Sequence, residues 1–268
     1  VTGRRAGIAR RRQRAARAVW RWLPPVLVLA ALVGAWQLAA SSHAVSGALH
    51  ISPSLLPSPT EVASSLWENR ALLAENAWVT LKEVLLGFAC ALLAGLGFAV
   101  ALHLSGTLRR AAYPLIVASQ AVPIPALAPI LVVWFGYGIG PKLAIVALVA
   151  FFAITVNALD GLRSVDPDAI KLMRTLDASR RQTLWRVEAP TALPYVFSGA
   201  KIAVAVAFIG AVFGEWAGSS AGLGFLIQQD NGQLETARMF AEVTILAALA
   251  IAMFGLLALL ERRVVAWR

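Results

Sequence analysis

The sequence predicts an all-α membrane protein with about six transmembrane helices, and three observations carry that prediction. Hydrophobic residues make up 59% of the 268 and charged residues only 14%, far from the balance of a soluble domain. The apolar residues gather in runs near the ~20 residues a helix needs to cross the hydrocarbon, too long for the short alternating strands of a β-barrel. Basic residues fall in alternate loops between those runs.

The runs are 23–40, 79–103, 113–135, 143–160, 195–217 and 241–260. Residues 1–22 read as a basic cytoplasmic tail and 23–268 as a single transmembrane domain with a cytoplasmic loop at 161–194. Arg4, Arg5, Arg10, Arg11, Arg12, Arg14, Arg17 and Arg21 precede the first run, and Arg109 and Arg110 follow the second. Arg163 through Arg186 follow the fourth, and Arg262, Arg263 and Arg268 follow the sixth. By the positive-inside rule both termini face the cytoplasm. The net charge of +10 reports that topology and an attraction to the anionic head groups of the lipid bilayer, and no nucleic-acid partner is expected. The basic start, the first run and the small residues at Ala39–Ala44 also resemble a signal peptide, but Trp20, Trp22 and Trp36 bracket the run as interfacial anchors and favour a retained span. Cys90 is the only cysteine, which excludes an internal disulfide.

After the first run, Ser58, Pro59 and Glu61 form a helix start, followed by Val62, Leu66 and Trp67 on what reads as an interfacial helix. In the second run Gly87, Ala91, Gly95 and Ala99 recur every four residues, a small-residue face for close helix packing. The third run carries Pro123, Pro125 and Pro129 beside Ser119 and Gln120. Each proline removes a donor and clashes one turn back, so this span is expected to kink or unwind, with Pro125 among the residues that hold the kink. Broken backbone survives in lipid only beside neighbours or a water-lined cavity, so Ser119, Gln120, Pro123 and Pro125 are the candidate translocation-path residues.

Trp134–Lys142, WFGYGIGPK, reads as an outer turn. Its GYG lacks the Thr-Val and the pore helix of a potassium filter, and its glycines lack phosphate-loop spacing. Glu83 and Glu215 sit near the outer ends of their spans and Asn157 near the inner end of the fourth, while Lys201 is expected to snorkel to the cytoplasmic interface. No chain of ionisable groups crosses the centre, which argues against a proton-driven mechanism. His43, His50 and His103 lack ligand spacing and no Ser/His/Asp set exists, so neither catalytic residue, metal nor cofactor is expected.

The most informative stretch is the polar insertion from Asp160 to Pro194. Asp166-Pro167 is a helix start, and Ala169, Leu172, Met173 and Leu176 then make an apolar stripe with Lys171 and Arg174 off it. Ser179 opens a second helix with Gln182 as its capping-box partner. That helix presents Leu184 and Trp185 and is expected to stop before Pro190. An amphipathic helix pair on the Arg-rich side reads as a docking surface.

This insertion resembles the cytoplasmic Glu-Ala-Ala loop of ABC-importer permeases. Laid on the family pattern, Glu-Ala-Ala falls on Lys171, Leu172 and Met173, the Gly on Asp177, and Ile-x-Leu-Pro on Val187 to Pro190. Most of those positions depart from the consensus, whereas Ala178, Ser179, Arg180, Trp185, Arg186, Pro190, Leu193 and Pro194 match the sulfonate, taurine and nitrate branch. LLPSPTEV at 55–62 and AVPIPALAPILVVWFGYGIGPK at 121–142 look like the same branch. The resemblance implies a permease of the bacterial inner membrane that pairs with a second permease copy. It further implies two ATPase subunits, an extracytoplasmic solute-binding protein, and a loop at Lys171–Pro190 that couples to the ATPase. Asp177 then stands at a turn that needs a positive φ or a capping side chain for the second helix, and Asp supplies either. A secondary transporter or a channel not driven by ATP is the alternative. The first would show interrupted helices in two repeated halves, and only the third run is clearly interrupted.

In a Cys90→Ala background, Arg12→Cys, Arg180→Cys and Arg268→Cys are expected to resist a membrane-impermeant thiol reagent applied to intact cells. Labelling of Arg180→Cys from outside would overturn the topology.

Overall fold

In lipid a chain must satisfy its backbone internally, and every regular element here is a helix. The computed structural model describes residues 23–42, 47, 52 and 55–266, and no strand occurs among them. Residues 1–22 with Trp20 and Trp22, together with His43, His50 and Arg268, lie outside the described residues.

The helices are α1 (Leu23–Ser41), α2 (Pro59–Glu68), α3 (Arg70–Leu104), α4 (Gly106–Ser119), α5 (Ile124–Phe135), α6 (Ile139–Arg163) and α7 (Pro167–Thr175). They continue with α8 (Arg180–Gly218), α9 (Leu223–Gln233) and α10 (Thr236–Val264). Five of them are long and apolar enough to cross a membrane, and the pair α4–α5, bent by 104°, makes a sixth if counted as one broken span.

Two compact units are distinguished, one comprising the described part of Val1–Glu68 with Leu234–Ala241, the other Asn69–Gln233 with Glu242–Arg268. In the first, the Trp36 indole donates to the Pro57 carbonyl at 3.1 Å and its ring lies 5.8 Å from that of Phe240. Helix α2 starts as its sequence dictates. Glu61 Oε2 accepts from the Ser58 N–H at 2.7 Å, and Ser58 Oγ accepts from the Glu61 N–H at 3.3 Å, a reciprocal capping box.

The second unit is built around α6, which packs between α3 and α8. Lipid tails are as apolar as Leu, so helices in a bilayer associate through close packing of small residues. Gly87, Ala91, Gly95 and Ala99 are all buried on one face of α3. A Cβ on Gly87 would lie 2.6 Å from Val146 Cβ, and one on Gly95 2.9 Å from Ile154 Cγ2. Helix α8 approaches α6 by the same means, since a Cβ on Gly199 would meet the Ala153 carbonyl at 2.7 Å. Val84, Phe88, Ala150, Ile154, Ala203, Val204, Ala207 and Phe208 fill the core between the three helices, and Met253 of α10 joins them. Lys201 pairs at 2.8 Å with Glu261 of α10, which directly precedes Arg262 and Arg263 at the end of that helix.

Gly87→Ala is expected to cost about 1–3 kcal/mol, because the new methyl meets the β-branched Val146 where neither backbone has room to move. Gly97→Ala, where nothing lies within 4 Å, is expected to melt within a degree or two of the parent. Thermal unfolding of the two purified variants checks the contrast, and equal melting would show that the α3–α6 approach is loose.

Candidate coupling and translocation sites

The insertion folds as its caps require. The Asp166 side chain accepts from the Asp168 N–H at 2.8 Å with Pro167 in the first turn, and α7 ends at Thr175. Asp177 follows in the left-handed region at φ 54°. Its N–H donates to the Arg174 carbonyl and that of Ala178 to the Met173 carbonyl, both at 3.0 Å, closing the last turn of α7. Capping of the next helix falls to Ser179 and not to Asp177. Ser179 Oγ accepts from the Gln182 N–H at 3.3 Å, and Gln182 Oε1 accepts from the Ser179 N–H at 2.8 Å.

The second helix does not stop before Pro190. It passes through a π turn at Leu184–Glu188 and continues to Gly218. The Ala189 N–H reaches back to the Leu184 carbonyl, one residue further than in an α-helix. That widening moves away the carbonyl that the Pro190 ring would strike in a regular turn. The loop is fastened to the membrane body at two points. Arg180 Nη2 donates to the Leu104 carbonyl at 3.0 Å, and Glu188 pairs with His103 at 3.0 Å.

No residue of α7 is buried. Its apolar stripe divides: Met173 and Ala169 are half-buried, while Leu172 and Leu176 are 59% and 67% exposed, and Trp185 beyond them is 66% exposed. Among the other candidates, Lys171, Asp177, Ser179 and Arg180 are exposed, Ala178 and Pro190 half-buried, and Leu184 buried against Leu162 and Ala192.

Ser119, Gln120 and Pro123 lie together at the break between α4 and α5. The last turn of α4 tightens, with the Ala121 N–H on the Ala118 carbonyl and the Val122 N–H on the Ser119 carbonyl at 3.0 and 3.3 Å. Pro123 then excludes its predecessor from the helical region and caps α5 with φ −70° and ψ 123°. Pro125 does not hold this bend. It sits in the first turn of α5, where its missing N–H would have had no partner. Pro129 lies inside α5.

Between the outer ends of α3, α6 and α8 the structure assembles a buried polar cluster. Lys142, fourth in α6, donates to Glu83 at 2.6 Å and to Ser219 Oγ at 2.7 Å. Glu215 accepts from Thr80 Oγ1 at 2.6 Å and from the Gly224 N–H at 2.5 Å, so it caps the start of α9. Asn76 Oδ1 takes the Gly222 N–H at 2.7 Å, and Thr80 Oγ1 takes that of Leu223 at 2.8 Å. Gly222 is at φ 117°, and any Cβ there would fall on the Glu215 carboxylate. The sequence reading noted Glu83 and Glu215 but missed Lys142, which hides at the end of the WFGYGIGPK turn. The available signal was the lysine itself, an ionisable group opening an apolar run that needs a carboxylate partner.

Residues 91–266 match the family of binding-protein-dependent transport system inner membrane components. The chain belongs to this family. A probable ABC transporter permease of Haemophilus influenzae is 38% identical over 87% of this chain and 93% of its own length. The formylaminopyrimidine transport permease of Halalkalibacterium halodurans is 36% identical over 92% of this chain and 96% of its own. The taurine transport permease of Escherichia coli is 30% identical over 92% and 93%. In fold, the chain is similar to a methionine ABC transporter solved in inward-facing conformations, with a TM-score of 0.64, 20% identity and coverage of 73% of this chain and 97% of that one. The protein is thus a multi-pass inner-membrane permease of an ABC transporter for a small solute, the non-catalytic membrane component of a system that includes an ATPase and a binding protein.

In this permease, Lys142→Met is expected to cost about 3–5 kcal/mol, because it leaves the Glu83 carboxylate buried without its cation. Adding Glu83→Gln to it is expected to restore most of the loss. Thermal unfolding of the single and double variants checks this, and a single variant as stable as the parent would remove the pair from the framework.

Proposed function

We propose that the permease moves its solute inward as one of two copies, driven by an ATPase that docks on the loop 161–194. The observation that carries this is the apolar surface of Leu172, Leu176 and Trp185, exposed on a helix pair whose turns are otherwise fully capped. A rigid, capped element with an uncovered apolar face transmits displacement when a partner moves beneath it. Its companions Lys171, Met173, Asp177, Ala178, Ser179, Arg180, Leu184 and Pro190 shape and orient that face. On this reading, loss of the docked partner leaves a correctly inserted but idle permease.

Asp177→Gly is expected to keep transport, because glycine adopts φ 54° at no steric cost. Asp177→Val is expected to lose it, since a β-branched side chain opposes that conformation. Leu172→Asp is expected to weaken retention of the ATPase at least tenfold, in line with the ~1.5–3 kcal/mol of a buried leucine. Solute uptake reads the Asp177 pair, and co-purification of the permease with its ATPase partner reads retention in all the variants. Full retention by Asp177→Val and Leu172→Asp would remove the loop as the coupling element.

For the path we propose the break at Ser119, Gln120 and Pro123, with Pro125 setting the first turn beyond it. The groups at the break are uncharged and hydrogen-bonding, which suits a small neutral heterocycle. The 36% identity to a formylaminopyrimidine permease, against 30% to a taurine permease, points the same way. A sulfonate is the second reading, on the strength of the taurine relative. In proteoliposomes with the ATPase and binding protein, formylaminopyrimidine is expected to stimulate ATP hydrolysis severalfold and taurine to leave it at the basal rate. The reverse order would assign the sulfonate class.

A further inference from the structure

Behind the coupling helix lies a cavity of about 420 Å³ that the exposed Leu172, Leu176 and Trp185 do not line. It is lined by His103 of α3, Arg109 of α4, Arg163 at the end of α6, Pro167, Ile170, Lys171 and Arg174 of α7, and Glu188. Four permanent cations therefore face one carboxylate, and that carboxylate is engaged by His103 at 3.0 Å. Lys171 is held by Asp168 at 2.8 Å, whereas Arg109, Arg163 and Arg174 form no ion pair among the described residues. His103 Nδ1 is buried with no hydrogen-bond partner among the described residues, and a buried polar atom calls for one.

The cavity is separate from the docking surface by helix geometry. At 3.6 residues per turn, Pro167, Ile170, Lys171 and Arg174 share one face of α7, and the exposed Leu172 and Leu176 lie on the other. An ATPase seated on the leucines leaves the arginine face turned toward the membrane body. Three arginines that line one cavity and form no ion pair among the described residues suit an anion with several oxygens, which arginine meets with paired donors.

We propose that this cavity binds a phosphate-bearing anion that bridges the coupling helix to the inner ends of α3, α4 and α6. Two sources offer that chemistry, the phosphodiester head group of an anionic phospholipid and free phosphate. Leu162 borders both this cavity and an apolar groove of about 260 Å³ formed by Leu96, Val100, Leu184, Ala192 and Val196 with Trp185 of the docking surface at its rim, so an acyl chain has a bed beside the head-group site. Basic recesses between transmembrane helices at the cytoplasmic face are where anionic head groups settle.

Native mass spectrometry of the full-length permease in detergent, titrated with phosphatidylglycerol or with phosphatidylcholine, tests the assignment. Inorganic phosphate binding is measured in parallel on lipid-stripped protein. Wild type is expected to retain phosphatidylglycerol over phosphatidylcholine, and Arg163→Gln with Arg174→Gln to reduce that retention at least fivefold. Arg262→Gln with Arg263→Gln removes the same charge elsewhere and is expected to change it less than twofold. Arg109→Gln alone, with an intermediate loss, keeps the test valid should the double variant fail to fold. Phosphate binding with the same dependence on Arg163 and Arg174, without lipid retention, would assign the soluble anion. Equal losses in the cavity and control variants, or no binding of either ligand, would overturn the proposal.

Discussion

Helix α6 approaches its two neighbours at distances that any side chain at the crossing points would forbid, and the rest of the permease depends on those approaches. Water drives helices together in soluble proteins, but in lipid that drive is absent and contact has to be won from packing alone. Gly87 and Gly95 bring α3 against Val146 and Ile154, and Gly199 brings α8 against the Ala153 carbonyl. Three long helices fixed in this way leave their ends in defined places. The inner ends carry the loop 161–194, and the outer ends converge closely enough to bury charge.

The outer cluster follows from that convergence. A lysine and two glutamates are tolerable inside a membrane protein only where they satisfy one another or the backbone. Here Lys142 and Glu83 form a pair, while Glu215 spends its oxygens on Thr80 and on the N–H groups at the start of α9. The loop between α8 and α9 is thereby held by side chains from α3 and α8 together, through Asn76, Thr80 and Glu215. Sequence distance is no guide to this arrangement, for Thr80 and Leu223 lie 143 residues apart.

Features whose chemistry is local were legible in the sequence. The capping boxes at Ser58 and Ser179 and the Asp166-Pro167 start depend on residues within three or four positions, and each is as the chain announces it. Of the two roles the family resemblance left open for Asp177, the structure shows the positive φ and gives the cap to Ser179. The small-residue face of α3 was legible too, since periodicity alone defines it. What the sequence hid depends on rotation and partners. Lys142 finds Glu83 only once two helices are packed, and Lys201 finds Glu261 for the same reason. The prolines misled in both directions. Pro190 marks no helix end because a π turn makes room for it, and Pro125 bends nothing because it falls in a first turn, leaving the break to Pro123. A proline's effect depends on where the helix begins, which the residue itself does not declare.

The π turn at Leu184–Glu188 has a mechanical implication of its own. It sits within the loop 161–194, ahead of the remaining length of α8, which runs unbroken to the outer cluster at Glu215. Such a turn stores one residue more than an α-helical turn of the same rise. Absorbing that residue into regular helix would advance the winding by one position and swing everything beyond it by about 100°. At the foot of the longest described helix, that one extra residue thus sets the rotation between the exposed Trp185 and the face of α8 that packs on α6.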